Sequence, residues 1–234
     1  MQAVIFAAGK GTRMGSETIP KPMRTVAGKS LLEHKLDAMP EEVDEVILII
    51  GHLGHVIRSH FGDEYNGRRI RYVEQEALNG TAAALHLAKD ILNGRFLTMM
   101  GDDLYAKEDM HRAALANPDE WAVVALQVDD LGSAGKIVLD EDGRAVDIIE
   151  GADHSGGAGL LNTGLCAIDM RIFEFPMLLK SPTSSEYNLP QTMIRASVPK
   201  TLITATSWLQ MTSPEDLQKA EQILAKPDNS TTQE

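Results

Sequence analysis

Short apolar runs alternate with segments of helical periodicity through the first half of the chain. The apolar and β-branched runs predict strands at residues 4–8, 45–50, 69–74, 96–100 and 121–128. Apolar positions three and four apart predict helices between them, at residues 31–39, 55–61, 81–92 and 110–116. This alternation is typical of an α/β fold with a doubly wound, mostly parallel sheet, which binds ligands at the carboxyl ends of its strands.

The pattern changes after Gly132. Residues 136–139 and 145–150 flank the turn sequence Asp140-Glu141-Asp142-Gly143, whose Asp-Gly step favours a β-hairpin. Further strands are predicted at 160–168 and 202–206, and helices at 188–196 and 214–224. We therefore expect one domain over residues 1–225, with a mixed sheet flanked by helices and a small β-hairpin subregion. The polar residues 226–234 are expected to form a flexible tail.

Composition narrows the classes of partner. The 34 acidic residues outnumber the 22 basic ones, and a net charge of −12 argues against a nucleic-acid-binding surface. No apolar run approaches the roughly 18–20 residues of a membrane span. The N-terminus lacks the features of a signal peptide, and the lone Cys166 cannot form an internal disulfide. We expect a cytoplasmic protein that acts on small molecules, with no nucleic-acid or membrane partner.

The most informative motif, Gly9-Lys10-Gly11-Thr12-Arg13, follows the first predicted strand. Glycines allow backbone N–H groups to close on phosphate oxygens, and cations neutralise the phosphate charge. The spacing does not fit the Walker A motif, which has four residues between its glycines. It does not fit the dinucleotide fingerprint either, because residue 14 is methionine where that motif has glycine. In an otherwise acidic chain, an anionic substrate would be gathered by a local cluster of cations, Lys10, Arg13, Lys21 and Arg24.

The string Ala7-Ala8-Gly9-Lys10-Gly11-Thr12-Arg13-Met14, with Pro20-Lys21-Pro22 and Ala27-Gly28-Lys29 behind it, resembles the sugar-1-phosphate nucleotidyltransferases. It looks closest to the pyrophosphorylase domain of N-acetylglucosamine-1-phosphate uridylyltransferase and to glucose-1-phosphate thymidylyl- and uridylyltransferases. The resemblance implies a Rossmann-like fold with a nucleotide-binding half, 1–130, and a sugar-binding half, 131–225. The implied reaction is Mg²⁺-dependent in-line transfer of a nucleotidyl group from a nucleoside triphosphate, UTP or dTTP favoured, to a sugar 1-phosphate, with release of pyrophosphate.

Two basic residues are the catalytic candidates of the phosphate loop. Arg13 can hold the pyrophosphate leaving group with its planar fork. Lys21, on a loop fixed by Pro20 and Pro22, would place a point charge between the α-phosphate and the sugar phosphate, although a lysine between prolines can also be a solvated turn residue. Together with residues expected to contact the nucleotide base, the nucleotide-binding candidates are Ala8, Gly9, Gly11, Thr12, Arg13, Gln75, Gly80 and Thr81.

Gln75 and Gly80 form a second motif. Gln75 closes the third predicted strand, and a glutamine offers a donor and an acceptor to the imide edge of uracil or thymine. In the family that the chain resembles, four residues separate this glutamine from a glycine, and here Glu76-Ala77-Leu78-Asn79 fill that gap. Gly80 would let the backbone approach the base. The alternative is an exposed strand-end glutamine followed by a simple helix start at Gly80-Thr81.

Asp102 and Asp103 follow a central apolar strand. Mg²⁺ prefers one or two carboxylates together with phosphate oxygens and waters. Asp102 matches the family's metal aspartate, and adjacent strand residues point to opposite faces, so only one of the pair is expected to touch the metal. The other family ligand falls at Gln210, a neutral and therefore weaker ligand, and Gln191 stands where relatives commonly have aspartate. The alternative is that the carboxylates cap the following helix.

The resemblance also implies a sugar site and leaves alternatives open. Gly135, Glu150 and Asn162 match residues that hold the sugar, although Glu150 at a hairpin end could simply be solvated. The sequence names neither the sugar nor the oligomeric state. One alternative function is a cytidylyltransferase acting on choline phosphate or a similar phosphorylated alcohol. Another, suggested by Gln191 and Gln210, is a non-catalytic nucleotide-sugar-binding protein.

We predict that Arg13→Ala and Lys21→Ala each lower turnover by about 10²–10³-fold, because removing a charge-stabilising donor from such a site costs roughly that much. Both residues lie in a predicted loop, where a lost side chain opens no core cavity, so stability should not change. Steady-state kinetics and thermal unfolding of each variant test this. Normal turnover at unchanged stability would remove these residues from the mechanism.

Overall fold

The computed structural model describes residues 1–9, 11, 18–132, 134–151 and 154–224. The six α-helices assigned within these residues are α1 (Leu31–Asp37), α2 (Gly54–Phe61), α3 (Thr81–Leu87), α4 (Lys107–Ala114), α5 (Leu189–Arg195) and α6 (Pro214–Leu224). The strands of the first half are β1 (Gln2–Ala7), β2 (Thr25–Val26), β3 (Lys29–Ser30), β4 (Glu45–Ile50), β5 (Glu64–Tyr65), β6 (Arg68–Glu74), β7 (Arg95–Met100) and β8 (Asp103–Tyr105). Those of the second half are β9 (Trp121–Val128), β10 (Lys136–Leu139), β11 (Ala145–Ile149), β12 (Gly159–Asp169), β13 (Leu178–Leu179), β14 (Tyr187–Asn188), β15 (Lys200–Thr204) and β16 (Trp208–Gln210).

The centre of the fold is a mixed ten-stranded sheet, eight strands of which have the order β11-β10-β12-β7-β1-β4-β6-β5. Strand β9 also pairs with β12, and β15 pairs with β9. Strands β7, β1, β4 and β6 are mutually parallel. In contrast, β12 runs antiparallel to both β7 and β9. The expected α/β fold with a mostly parallel sheet is therefore confirmed, as is the hairpin of β10 and β11.

Both faces of the sheet are buried, as a doubly wound fold requires. On β1, Val4 and Phe6 belong to one apolar core, and Ala3 and Ile5 belong to the other. Helices α3 and α5 contribute to the first core, and α1, α2 and α4 contribute to the second. The near-continuous apolar run of β1 follows from this burial on both sides.

The parallel register brings the carboxyl ends of the central strands to one edge. Phe6 pairs with Met100, and Ala7 pairs with Ile50. Glycines follow the two neighbouring strands at this edge because the backbones approach closely. A Cβ atom on Gly101 would lie 2.8 Å from the Phe6 carbonyl oxygen, and one on Gly51 would lie 2.9 Å from the Ala8 carbonyl oxygen.

Most predicted elements are present with shifted ends, and several short strands had no signal in the sequence. Helix α3 ends at Leu87, and a 3₁₀ turn at Lys89–Ile91 follows where a continuous helix was expected. The pairs β2–β3, β8–β16 and β13–β14 are only two or three residues long, too short to show a periodic pattern. Among the residues described, no helix is long and apolar enough to cross a membrane.

Candidate active site

A cavity of about 650 Å³ opens at the carboxyl edge of the sheet, between the two halves of the chain. Most of the predicted site residues that the structure describes line this cavity, whereas Arg24 and Gln191 do not. Thr12 and Arg13, like Lys10, lie outside the described residues. Those that line the cavity are Ala8, Gly9, Gly11, Lys21, Gln75, Gly80, Thr81, Asp102, Gly135, Glu150, Asn162 and Gln210.

Lys21 lines the cavity from a proline-restricted turn. It begins a 3₁₀ turn between two buried prolines, and the Met23 amide donates to the Pro20 carbonyl at 2.8 Å. Gly11 has a φ of +61°, and a Cβ there would lie 3.0 Å from the Lys21 Cβ. The Lys21 ammonium forms an ion pair with the Asp102 carboxylate, and only 14% of the Lys21 side chain is exposed. Lys21 is thus not a freely solvated turn lysine.

Asp102 and Asp103 lie in contrasting environments. Asp102 lies in the turn between β7 and β8, and 26% of its side chain is exposed, whereas Asp103 begins β8 and is buried. Burial and the neighbouring Asp102 carboxylate raise the pKa of Asp103, because both disfavour a second negative charge. Across the β8–β16 pair, Gln210 lies opposite Asp103. Both aspartates line the cavity, and Asp102 is the more exposed of the two.

Lys35 contacts the turn that contains Asp102, and the sequence analysis did not identify it. This α1 lysine is buried, and its ammonium donates to the carbonyl oxygens of Gly101 at 3.2 Å and of Asp103 at 2.6 Å. Burial lowers its pKa, against the opposing effect of the nearby aspartates. A signal was present in the sequence, because Lys35 falls on the same apolar stripe of α1 as Leu31, Leu32 and Leu36.

The segment from Gln75 to Thr81 forms one wall and binds the second half of the chain. Gln75 is buried, not exposed, and its side-chain amide donates to Asn79 Oδ1 at 3.3 Å and to the Gly80 carbonyl at 3.2 Å. The Tyr187 amide donates to the Asn79 carbonyl at 2.7 Å, and the Leu189 amide donates to Thr81 Oγ1 at 3.0 Å. This wall therefore joins α3 to β14 and α5.

Gly80 is the point of closest approach in that wall. Its φ is +103°, and a Cβ atom there would lie 2.1 Å from the Tyr187 carbonyl oxygen. The expectation for this glycine was close approach of the backbone to a base. The structure adds a packing reason, since the backbone of β14 already occupies the space that a side chain would need.

The opposite wall carries the predicted sugar residues. The Asn162 amide donates to the Gly135 carbonyl at 2.9 Å, so these two residues are held side by side. Glu150 Oε1 accepts from Asn188 Nδ2 at 3.0 Å, and its Oε2 lies 3.6 Å from Lys180 Nζ. Glu150 is therefore a held carboxylate at the cavity, not a solvated hairpin end.

Gln191 does not belong to this wall. Its side-chain amide donates to the Ile148 carbonyl of β11, and it is absent from the residues that line the cavity. The residue bonds α5 to the sheet. Gln191 therefore contributes no ligand to a site in this cavity.

The donor set of the cavity fits a magnesium ion that is shared with phosphates. Asp102 and Gln210 both line the cavity, and both carry a side-chain oxygen, the donor that Mg²⁺ prefers. Within the described ranges, no group of three His, Cys, Asp or Glu side chains could hold a metal by itself. Phosphate oxygens and waters would therefore have to complete the coordination, which is the usual arrangement for Mg²⁺.

Comparisons with known proteins agree with this geometry. A family model described as nucleotidyl transferase matches residues 2–226. The bifunctional protein GlmU of Methanococcus aeolicus is 31% identical over 192 residues, which are 81% of this chain and 45% of that protein. This chain thus spans less than half the length of that relative. The UTP–glucose-1-phosphate uridylyltransferase AglF of Haloferax volcanii is 29% identical over 251 residues and is covered completely, as is this chain.

Solved structures show the same fold. A Bacillus anthracis protein titled as a glucose-1-phosphate thymidylyltransferase has a TM-score of 0.83 at 20% identity, and the match covers 97% of each chain. HddC from Yersinia pseudotuberculosis has a TM-score of 0.73 at 22% identity, covering 95% of this chain and 99% of that one. At these identities the likeness extends to the arrangement of helices and strands.

We predict that Gly80→Ala lowers the free energy of unfolding by more than the roughly 1–3 kcal/mol expected for its sparsely populated backbone conformation alone, φ +103° and ψ 172°. The excess arises because the new methyl group meets the Tyr187 backbone, which cannot move without breaking the bond to Asn79. Gly67→Ala is the matched control, since Gly67 has a φ of +76° but open space around its Cβ position. Urea unfolding measures both, and equal losses would contradict the packing role of Gly80.

Proposed function

This chain belongs to the nucleotidyltransferase family, and we propose that it transfers a uridylyl or thymidylyl group from the nucleoside triphosphate to a sugar 1-phosphate. The observation that carries the proposal is the Lys21–Asp102 pair at the carboxyl edge of the sheet. It lies between a wall built around Gln75 and a wall that carries Glu150 and Asn162. The Haloferax volcanii relative, named as a UTP–glucose-1-phosphate uridylyltransferase, supports the choice of substrates.

In the proposed reaction, an oxygen of the sugar phosphate attacks the α-phosphorus of the triphosphate in line. The new P–O bond forms as the bond between the α-phosphorus and the bridging oxygen breaks, and pyrophosphate leaves. Such transfers depend on positioning and charge neutralisation, with little covalent chemistry from the protein. Lys21 is mounted where its ammonium can move from Asp102 to the reacting phosphates. Arg13, by its resemblance to the family motif, would hold the leaving pyrophosphate.

Asp102 and Gln210 are the residues that would hold Mg²⁺ against the triphosphate. When bound, the ion supplies positive charge that neutralises the phosphates. Asp102 would contribute the one formal negative charge, and Gln210 a neutral amide oxygen. The Lys21 ammonium occupies the Asp102 carboxylate in this structure, so its transfer to a phosphate would free that carboxylate.

The base preference follows from how Gln75 is held. Its side-chain N–H groups donate to Asn79 and Gly80. The side-chain oxygen is therefore the group of Gln75 that would contact the nucleotide base. An acceptor matches the imide N–H of uracil or thymine, and it could also accept from the 4-amino group of cytosine. The preference for uridylyl or thymidylyl transfer over cytidylyl transfer therefore rests also on the relative named as a UTP–glucose-1-phosphate uridylyltransferase.

The proposal is tested with a matrix of nucleoside triphosphates against sugar 1-phosphates and choline phosphate. Product formation is read as phosphate after added pyrophosphatase. Pyrophosphate release with Mg²⁺ separates an enzyme from a nucleotide-sugar-binding protein. The nucleotide consumed, together with the acceptor, separates the sugar-1-phosphate enzyme from one that acts on a phosphorylated alcohol.

We predict that UTP or dTTP gives the highest kcat/KM, because the oriented Gln75 oxygen accepts from an imide N–H. Initial rates across the four common triphosphates and dTTP, with one productive sugar 1-phosphate, measure this preference. A higher kcat/KM with ATP or GTP would overturn the assignment of Gln75. A preference for CTP would favour the cytidylyl alternative.

We predict that Asp102→Asn abolishes activity even at high Mg²⁺, because the anchoring charge is lost, and that Gln210→Asp lowers the Mg²⁺ concentration needed for half-maximal rate. Mg²⁺ titrations of the rate test both. Gln127→Asp is the matched control, since it adds the same charge on an exposed part of β9 outside the cavity. If Asp102→Asn stays active, the placement of the metal is wrong. If Gln210→Asp behaves as Gln127→Asp does, residue 210 is not a ligand.

A further inference from the structure

We propose that Lys35 is a positioning residue of this active site, whose buried ammonium fixes the turn that presents Asp102 and places a positive charge beside it. The kinetic part of this inference rests on the proposed function. The structural part rests on hydrogen bonds and burial alone.

The hydrogen bonds of Lys35 enclose Asp102 on both sides along the chain. The ammonium donates to the carbonyl of Gly101, the residue before, at 3.2 Å, and to the carbonyl of Asp103, the residue after, at 2.6 Å. With both neighbours bound to one cation, the direction in which residue 102 presents its side chain is fixed.

The helix that carries Lys35, α1, is well capped and packed against the core. The helix begins with a reciprocal capping box, in which the Glu33 amide donates to Ser30 Oγ at 3.1 Å and the Ser30 amide donates to a Glu33 carboxylate oxygen at 2.6 Å. Leu32 and Leu36 pack into the core on the same stripe. The turn at Asp102 is therefore tied to a packed helix through Lys35.

The positive charge of Lys35 also points to a role beside the aspartates. An ammonium group in the interior is costly unless paired, and leucines fill the other positions of this stripe. The carboxylates of Asp102 and Asp103 lie near enough to favour the charged form of Lys35, and its Nζ lies 5.6 Å from the centre of the Tyr105 ring. A lysine here places positive charge behind two adjacent carboxylates.

The positive charge of Lys35 matters most when Lys21 leaves Asp102. Lys21 forms an ion pair with the Asp102 carboxylate in this structure. If Lys21 moves to the reacting phosphates, Asp102 loses that partner, whereas Lys35 is buried and stays bound to the turn carbonyls. Lys35 thus keeps a cation beside the turn during the reaction.

The chain offers a control in Lys200, which has similar partners but is less buried than Lys35. Its ammonium also donates to two backbone carbonyls, of Ala196 at 2.6 Å and of Val198 at 2.7 Å, and it lies 6.0 Å from the centre of an aromatic ring, that of Trp121. Lys200 begins β15 opposite Trp121, the first residue of β9, at the sheet edge away from the cavity. Lys200→Met therefore reports the structural cost of losing such contacts without the aspartates.

The test compares Lys35→Met, Lys35→Gln and Lys200→Met by steady-state kinetics and by hydrogen exchange of the backbone amides of residues 101–105. For Lys35→Met we expect kcat to fall by at least about tenfold, with KM for both substrates unchanged, because substrate contacts remain while the reacting charges are misplaced. Exchange at residues 101–105 should become faster. Lys200→Met should keep the wild-type kcat and the wild-type exchange at those residues.

Lys35→Gln separates hydrogen bonding from charge, and it carries the test if Lys35→Met does not fold. It retains an N–H donor without the charge, so we expect slower exchange than in Lys35→Met but no recovery of kcat. Wild-type kcat in Lys35→Met or in Lys35→Gln would overturn the inference. A loss in Lys200→Met equal to that in Lys35→Met would also overturn it.

Failure of the proposed function gives a different result. In that case the wild-type protein would release no pyrophosphate with any substrate pair. The exchange measurement would then decide this inference, because it needs no activity. Unchanged exchange at residues 101–105 in Lys35→Met would overturn it, and faster exchange there alone would support it.

Discussion

The pairing of Phe6 with Met100 and of Ala7 with Ile50 places the carboxyl ends of three buried strands side by side, and the cavity exists because of that register. Parallel strands buried on both faces cannot slip by one residue without turning every side chain to the wrong core. The glycines at positions 51 and 101 let the next turns pass close to the backbone of β1. Core packing therefore brings the turn that contains Asp102 to the carboxyl end of β1.

Within this frame, the proposed site for an anionic substrate brings two described lysines to one small area of a chain that is acidic overall. The net charge of −12 would repel a triphosphate at long range. At the cavity, Lys21 faces Asp102 from the loop side, and Lys35 supports the same turn from below. Local pairing in a partly desolvated cavity outweighs the distant, screened charges. The net charge of the chain is thus a poor guide to the site itself.

The sequence was informative wherever a pattern extends over several residues. The strands of the sheet and the helices that flank it were predicted because each spans many positions of one period. The resemblance to the family identified Lys21, Gln75, Asp102 and Asn162 as site residues, and all four line one cavity. The β8–β16 pair was missed because three residues carry no period, yet this pair brings Gln210 opposite Asp103. Lys35 was missed although it falls on the apolar stripe of α1, because its partners are backbone carbonyls, which no side-chain motif records.

The bond network around Gly80 has a consequence for how substrate choice can change. The segment that holds the base-reading candidate Gln75 is bonded to Tyr187 and Leu189 of the second half, and Asn188 between them holds Glu150 of the sugar wall. A substitution that shifts one wall is therefore transmitted to the other through backbone contacts. Selection for a new sugar would be expected to disturb nucleotide choice as well, so that the two specificities evolve together.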